Sequence, residues 1–190
     1  MTVLNLGSKT LTYWCLPYII AEIGVNHEGS IDRAKKLISL AKDGGADAVK
    51  FQSYKAENLA SINSPAYWDT KKETTLSQYK LFKKYDNFGP EEFLELSKYS
   101  KKIGIEFLST PFDNLAIDFL DPLVKFFKIA SADITNIPLL RKIANKKKPI
   151  LLSTGASTVE EINIAINELV KSGCKKKEIV LLHCILNYPT

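Results

Sequence analysis

Six short apolar runs in this chain each end in polar or ionisable residues. In order these are Glu22, Lys50 with Gln52, Ser109 with Thr110, Lys128 with Ser131, Ser153 with Thr154, and His183. Lys50 and Gln52 are two apart, so in a strand they project to the same side. A polar group at the end of an apolar segment is costly to desolvate unless it has a partner. Its recurrence at every segment therefore points to a ligand. Lysine contributes point charge, the hydroxyls of Thr110, Ser131 and Ser153 contribute oriented donors, and backbone N–H groups at turns add more. Together they would receive a compact polyanion, and a carboxylate and phosphate close together, as in phosphoenolpyruvate, fit such a cluster. Glu22 is the carboxylate at the first strand end, where it can serve as general acid or base. Taken singly, each residue has an ordinary reading: a lysine in an ion pair, a serine capping a helix, His27 ordering its turn, His183 packed at a strand end. Trp14, Tyr67 and Trp68 read as packing, the last two within an insertion. Only the joint pattern carries chemistry.

The elements that must position these residues are legible. Apolar runs over 18–21, 46–51, 105–108, 125–129, 149–152 and 178–182 lack period-two alternation, as strands buried on both faces of a parallel sheet do. Helix-period segments lie between them. Ser30 can cap a helix over 31–42 that Gly44 and Gly45 end. Pro90, Glu91 and Glu92 open a helix to about Lys102, closed by Gly104. Ser157 or Thr158 caps 159–171, and shorter helices are expected over 113–120 and 138–145. The spacing is that of βα repeats. It is broken once, by an insertion over 53–89 rich in Tyr, Asn, Ser and Lys, which reads as a lid or binding loop. Six strands allow an open doubly wound sheet, but no G-x-G-x-x-G follows any of them. The expected fold is a (β/α)8 TIM barrel of which this chain covers about the first six βα units.

Composition narrows the classes. The net charge of +5 comes from lysine pairs and triplets spread along 190 residues, which suits solvated helix ends rather than a nucleic-acid surface. Three cysteines without C-x-x-C spacing suit reduced thiols. With no basic start before an apolar stretch, and no apolar run near the ~18 residues of a membrane span, the expectation is a soluble cytoplasmic protein.

At the strand ends the sequence resembles the sialic acid (nonulosonate) synthase family. The matching segments are IIAEIGVNHEGS (19–30), GADAVKFQSY (45–54), GIEFLSTPFD (104–113), FKIASADITNIPLL (127–140), KPILLSTGAST (148–158) and LLHCILNYPT (181–190). The resemblance implies condensation of phosphoenolpyruvate with an N-acyl hexosamine such as N-acetylmannosamine, with release of phosphate. It implies that Glu22 acts near the sugar aldehyde and attacking water. Lys50, Gln52, Thr110, Lys128, Ser131 and Ser153 would bind phosphoenolpyruvate, and Asp133 and Tyr188 would face the sugar. Two positions depart from the family pattern: Asp133 stands where many members have Glu, and Leu186 where some have an Asn that contacts phosphoenolpyruvate.

The resemblance further implies a divalent metal, manganese in the first instance. Its histidine ligands, the last two strands and an antifreeze-like C-terminal domain are all expected beyond Thr190, in a full-length homodimer. Residues 1–190 are then an incomplete phosphoenolpyruvate-binding barrel domain, expected to be inactive alone. Two rival readings stand: a synthase of the 3-deoxy-manno-octulosonate 8-phosphate type, which needs a sugar-phosphate site although Arg33 and Arg141 are the only arginines, or a non-catalytic anion-binding module.

Overall fold

The computed structural model describes residues 3–12 and 14–186. It opens with an antiparallel hairpin of β1 (Leu4–Leu6) and β2 (Lys9–Leu11), which the sequence reading did not anticipate. Leu6 of this hairpin is buried in the main core, while Lys9 pairs with Asp47.

Six parallel strands follow: β3 (Ile20–Gly24), β4 (Ala48–Ser53), β5 (Glu106–Pro111), β6 (Phe127–Ile129), β7 (Ile150–Ser153) and β8 (Ile179–Leu182). They form two three-stranded sheets, β3-β4-β5 and β6-β7-β8, each in chain order, with β5 packed beside β6. Sequential order with a helical crossover is the βα-barrel arrangement, whereas a doubly wound sheet reverses at its switch point. The described residues thus show an α/β fold with parallel sheets.

Five of the seven helices described fall close to the spans the sequence predicts; the two within residues 53–89 were not expected. They are α1 (Ile31–Asp43), α2 (Ala56–Leu59), α3 (Gln78–Tyr85), α4 (Pro90–Ile103), α5 (Asn114–Leu120), α6 (Ile137–Ala144) and α7 (Val159–Lys171). Ser30 accepts from the Arg33 N–H at the start of α1, and Thr158 and Glu161 form a capping box on α7. Gly104, in the left-handed region at φ 74°, closes α4.

Two expectations need correction. The strands β3, β4 and β5 run two or three residues past their apolar runs, so Glu22, Lys50, Gln52, Ser109 and Thr110 lie inside strands. Ladder bonds use the backbone, so a polar side chain does not stop a strand when it points into a mouth or, like Ser109 with the Ser53 hydroxyl at 2.6 Å, finds a buried partner. The insertion is also no open loop. It holds α2, α3 and an antiparallel bridge between Pro65 and Ser77.

Alternate positions on each strand serve different layers. In β4, Val49, Phe51 and Ser53 are buried; the Phe51 ring lies 6.4 Å from Phe93 of α4 and 5.8 Å from Phe107. Lys50 and Gln52 therefore face the opposite side, away from the helices. The helices meet this layer with Ile38, Leu96, Ile117, Leu140 and Ile143, and burying such residues is worth roughly 1.5–3 kcal/mol per side chain before ordering entropy is subtracted.

Candidate active site

Pairing register assembles the first half of the site. Glu22 is opposite Lys50, Lys50 is opposite Leu108, and Gln52 is opposite Thr110. Three neighbouring strands thereby bring Glu22, Lys50, Gln52 and Thr110 to one face. The Lys50 ammonium pairs with the Glu22 carboxylate and lies 3.5 Å from the Thr110 hydroxyl. A register shift between Glu22 and Gly24 re-aims the end of β3. The Glu22 Oε1 and the Gln52 amide approach Gly24 closely, within 3.3 and 3.6 Å of where a Cβ would stand.

The second sheet supplies the other half. Lys128 in β6 is 7% exposed, and its ammonium donates to the Ile129 carbonyl at 2.7 Å. Burial, with Lys50 adding repulsion, lowers its pKa to about 8. Ser131 opens a 3-10 turn (Ser131–Asp133) after β6; its Oγ accepts from the Gly155 N–H at 2.9 Å and lies 3.8 Å from the Cys184 Sγ. Ser153 ends β7, buried. Asp133 is buried, and burial raises its pKa against the opposing Asn136 hydrogen bond and the Lys128 charge. Its Oδ2 has no hydrogen-bond partner among the described residues. A buried carboxylate oxygen without a partner is costly, and a ligand hydroxyl or amide N–H would satisfy it.

Eight of the nine sequence-predicted residues therefore sit on this end of the strands, four on each sheet. The ninth, Tyr188, lies outside the described residues. His27 is buried, stacked on Phe88 with centroids 3.9 Å apart, and its Nδ1 accepts from the Gly29 N–H. Burial lowers its pKa to about 4, and it orders its turn as expected. His183 is exposed, not packed. Among the described residues no three of His, Cys, Asp and Glu converge as a metal-binding group.

Sequence reasoning missed Cys184. Burial pushes its thiol pKa up, but the polar groups of Ser153, Thr154, Ser131 and Gly155 around it more than offset this, leaving it below its ordinary value; the thiol itself donates to the Leu182 carbonyl at 3.0 Å. Donors that stabilise a thiolate will also receive an oxyanion. Its position two residues past the sixth strand was the available signal.

A family model described as the NeuB family matches residues 37–190. The chain belongs to the NeuB family. It is 47% identical over 174 residues to the N,N'-diacetyllegionaminic acid synthase of Campylobacter jejuni, covering 90% of this chain and 52% of that protein. To the N-acetylneuraminate-9-phosphate synthase of Homo sapiens it is 35% identical over 176 residues, covering 90% and 47% respectively. Among solved structures, the N-acetylneuraminic acid synthetase of Leptospira borgpetersenii superposes with a TM-score of 0.84 at 35% identity, over 99% of this chain and 61% of that one. The chain thus spans about half the length of the curated NeuB relatives it matches. Like them it is α/β, and no described helix is long and apolar enough to cross a membrane.

Proposed function

We propose that residues 1–190 carry the phosphoenolpyruvate-binding half of a nonulosonate synthase active site, in which phosphoenolpyruvate condenses with an N-acyl hexosamine and phosphate is released. The observation that carries this reading is the convergence of Lys50, Thr110 and Glu22 on three adjacent strands, facing a second, buried lysine, Lys128. Family membership supports the same reaction class.

In this mechanism the methylene carbon of phosphoenolpyruvate forms a bond to the sugar aldehyde carbon. The C=O π pair passes to the aldehyde oxygen, which takes up a proton to become a hydroxyl, and positive charge develops at the carbon neighbouring the methylene. Water adds there, and the C–O bond to phosphate breaks. Lys50 and Lys128 hold and neutralise the carboxylate and phosphate, with Gln52, Thr110, Ser131 and Ser153 as donors. Glu22 takes the proton of the attacking water; its pairing with Lys50 keeps the carboxylate beside the bound anion. Asp133, with its unpartnered oxygen, takes a donor of the sugar, as does Tyr188. A divalent metal, manganese in the first instance, would polarise the acceptor aldehyde when bound, held by residues outside this chain. The complete protein is a cytoplasmic homodimer in this reading. The higher identity to a diacetyllegionaminic acid synthase than to an N-acetylneuraminic acid synthetase favours a diacetamido-trideoxy hexose as acceptor over N-acetylmannosamine.

The test is phosphate release from phosphoenolpyruvate by the full-length protein with manganese. N-acetylmannosamine, a diacetamido-trideoxy hexose and arabinose 5-phosphate are offered in parallel. Release with an N-acyl hexosamine is expected. Release only with the pentose phosphate moves the chain to the octulosonate-type rival, and phosphoenolpyruvate binding without release leaves an anion-binding module. Lys50→Ala and Glu22→Gln should each lower turnover by on the order of a hundredfold or more. Near-normal turnover in either sinks the role assigned to it.

A further inference from the structure

Ser131 and Gly155 belong to different βα units, one following β6 and the other following β7, and they meet at the mouth. The Gly155 N–H donates to the Ser131 Oγ at 2.9 Å. Backbone conformation does not explain a glycine at 155. The left-handed position in this turn belongs to its neighbour Ala156, at φ 51°, and Gly155 is not among the residues with positive φ. Space does explain it. A Cβ at 155 would stand 3.1 Å from the Ser131 Oγ and 3.1 and 3.2 Å from Cγ and Cδ2 of Leu186. Those separations are tight, below the ~3.5–4.0 Å of unstrained contact between carbon atoms, so the hydroxyl and the Leu186 side chain would each have to give way to a Cβ.

We propose that Gly155 is a positioning residue for the anion site, acting through Ser131. A hydroxyl has one proton to donate and two lone pairs. The Gly155 N–H occupies a lone pair and turns the Ser131 proton away from β7, toward the side where the anion would bind in place of the long Cys184 contact. Its neighbour on that side is the Cys184 Sγ, 3.8 Å away. The missing side chain at 155 lets the two loops close to hydrogen-bonding distance. The inference rests on the reading of Ser131 as a ligand donor.

The experiment is a double-mutant cycle in the full-length protein, read by equilibrium binding of phosphoenolpyruvate, KM for each substrate and the thermal midpoint. Ser131→Ala should weaken phosphoenolpyruvate binding roughly ten- to hundredfold, as loss of a hydrogen bond to a charged group does. Gly155→Ala should weaken it comparably, raise KM for phosphoenolpyruvate but not for the sugar, and leave the melting midpoint within a degree or two. The double variant should bind no worse than Ser131→Ala alone. Gly155→Ala in a Leu186→Ala background removes the second close contact, so it folds without that strain and reads the Ser131 contact alone. If Ser131→Ala binds normally, the reading of Ser131 as a donor fails. If Ser131→Ala weakens binding while Gly155→Ala has no effect, has an additive effect, or acts only in step with a fallen melting midpoint in both backgrounds, the role of Gly155 is overturned and that of Ser131 stands.

Discussion

Lys128 sits in the middle of β6 with 7% of its surface exposed, and burial reinforced by Lys50 lowers its pKa to about 8. In the unfolded chain an ordinary lysine titrates near 10.4. Below pH 8 both states hold the proton, and the folded state bears the full cost of the buried charge. Between pH 8 and about 10.4 the unfolded state binds more protons, so stability rises with pH. Lys128→Met should therefore stabilise the full-length protein at pH 7, by on the order of 3 kcal/mol at most. The gain should shrink through that window, as followed by denaturant unfolding from pH 7 to 10. Function runs the other way. Phosphoenolpyruvate affinity in the native enzyme should fall as pH rises past 8 and Lys128 loses its charge. A flat affinity from pH 7 to 9.5 would show that this lysine does not meet the anion. Charge at strand ends could be read from residue types, but the depressed pKa could not, because it arises from neighbours contributed by other strands.

At the scale of elements, the insertion between β4 and α4 is held as a unit by Asp86. Its buried carboxylate accepts from the Ala56 N–H at 3.0 Å and from Lys83 at 3.3 Å. Its carbonyl accepts from Lys55 at 2.7 Å. A further bond of 3.0 Å from Asn58 to Asp113 ties α2 to the N-cap of α5, beside the mouth. Asp86→Ala leaves the Ala56 N–H without its acceptor and removes one of the two ion pairs of Lys83, which keeps Glu57, a loss of about 2 kcal/mol. The expected results are a melting midpoint lower by several degrees and new protease cuts confined to residues 54–89. Unchanged cutting would mean that the insertion is held by its aromatic packing, Tyr54 against Phe82 and Phe112. The main helices were legible because caps and breakers act within a few residues, as Ser30, Gly104 and Thr158 show. The short helices of the insertion were not, since Asp86 lies far in sequence from most of what it orders.

At the scale of the molecule, β5 and β6 pack against each other, whereas β3 and β8, at the outer ends of their sheets, each pair on one side only among the described residues. Leu181, Ile185 and Leu186 at the β8 end are exposed. Unpaired N–H and C=O groups beside apolar side chains invite association. A protein consisting of residues 1–190 alone should self-associate in size-exclusion chromatography and release no phosphate, while the full-length protein is active. A monodisperse, active 1–190 protein would overturn that expectation. The chain order of residue types by itself determined the α/β class, the main helices and the candidate residues, eight of them described, that the strands bring to one end. Buried parallel strands are mainly apolar, and most of their polar interruptions lie at the mouth. Tertiary structure alone decided the rest: the pairing of Glu22 with Lys50, the unpartnered oxygen of Asp133, the donors around Cys184 and the closeness of Gly155 to Ser131. Each depends on strand register or on the distance between loops twenty or more residues apart in the chain. Those quantities are set by how the strands pack and pair, and no local pattern encodes them.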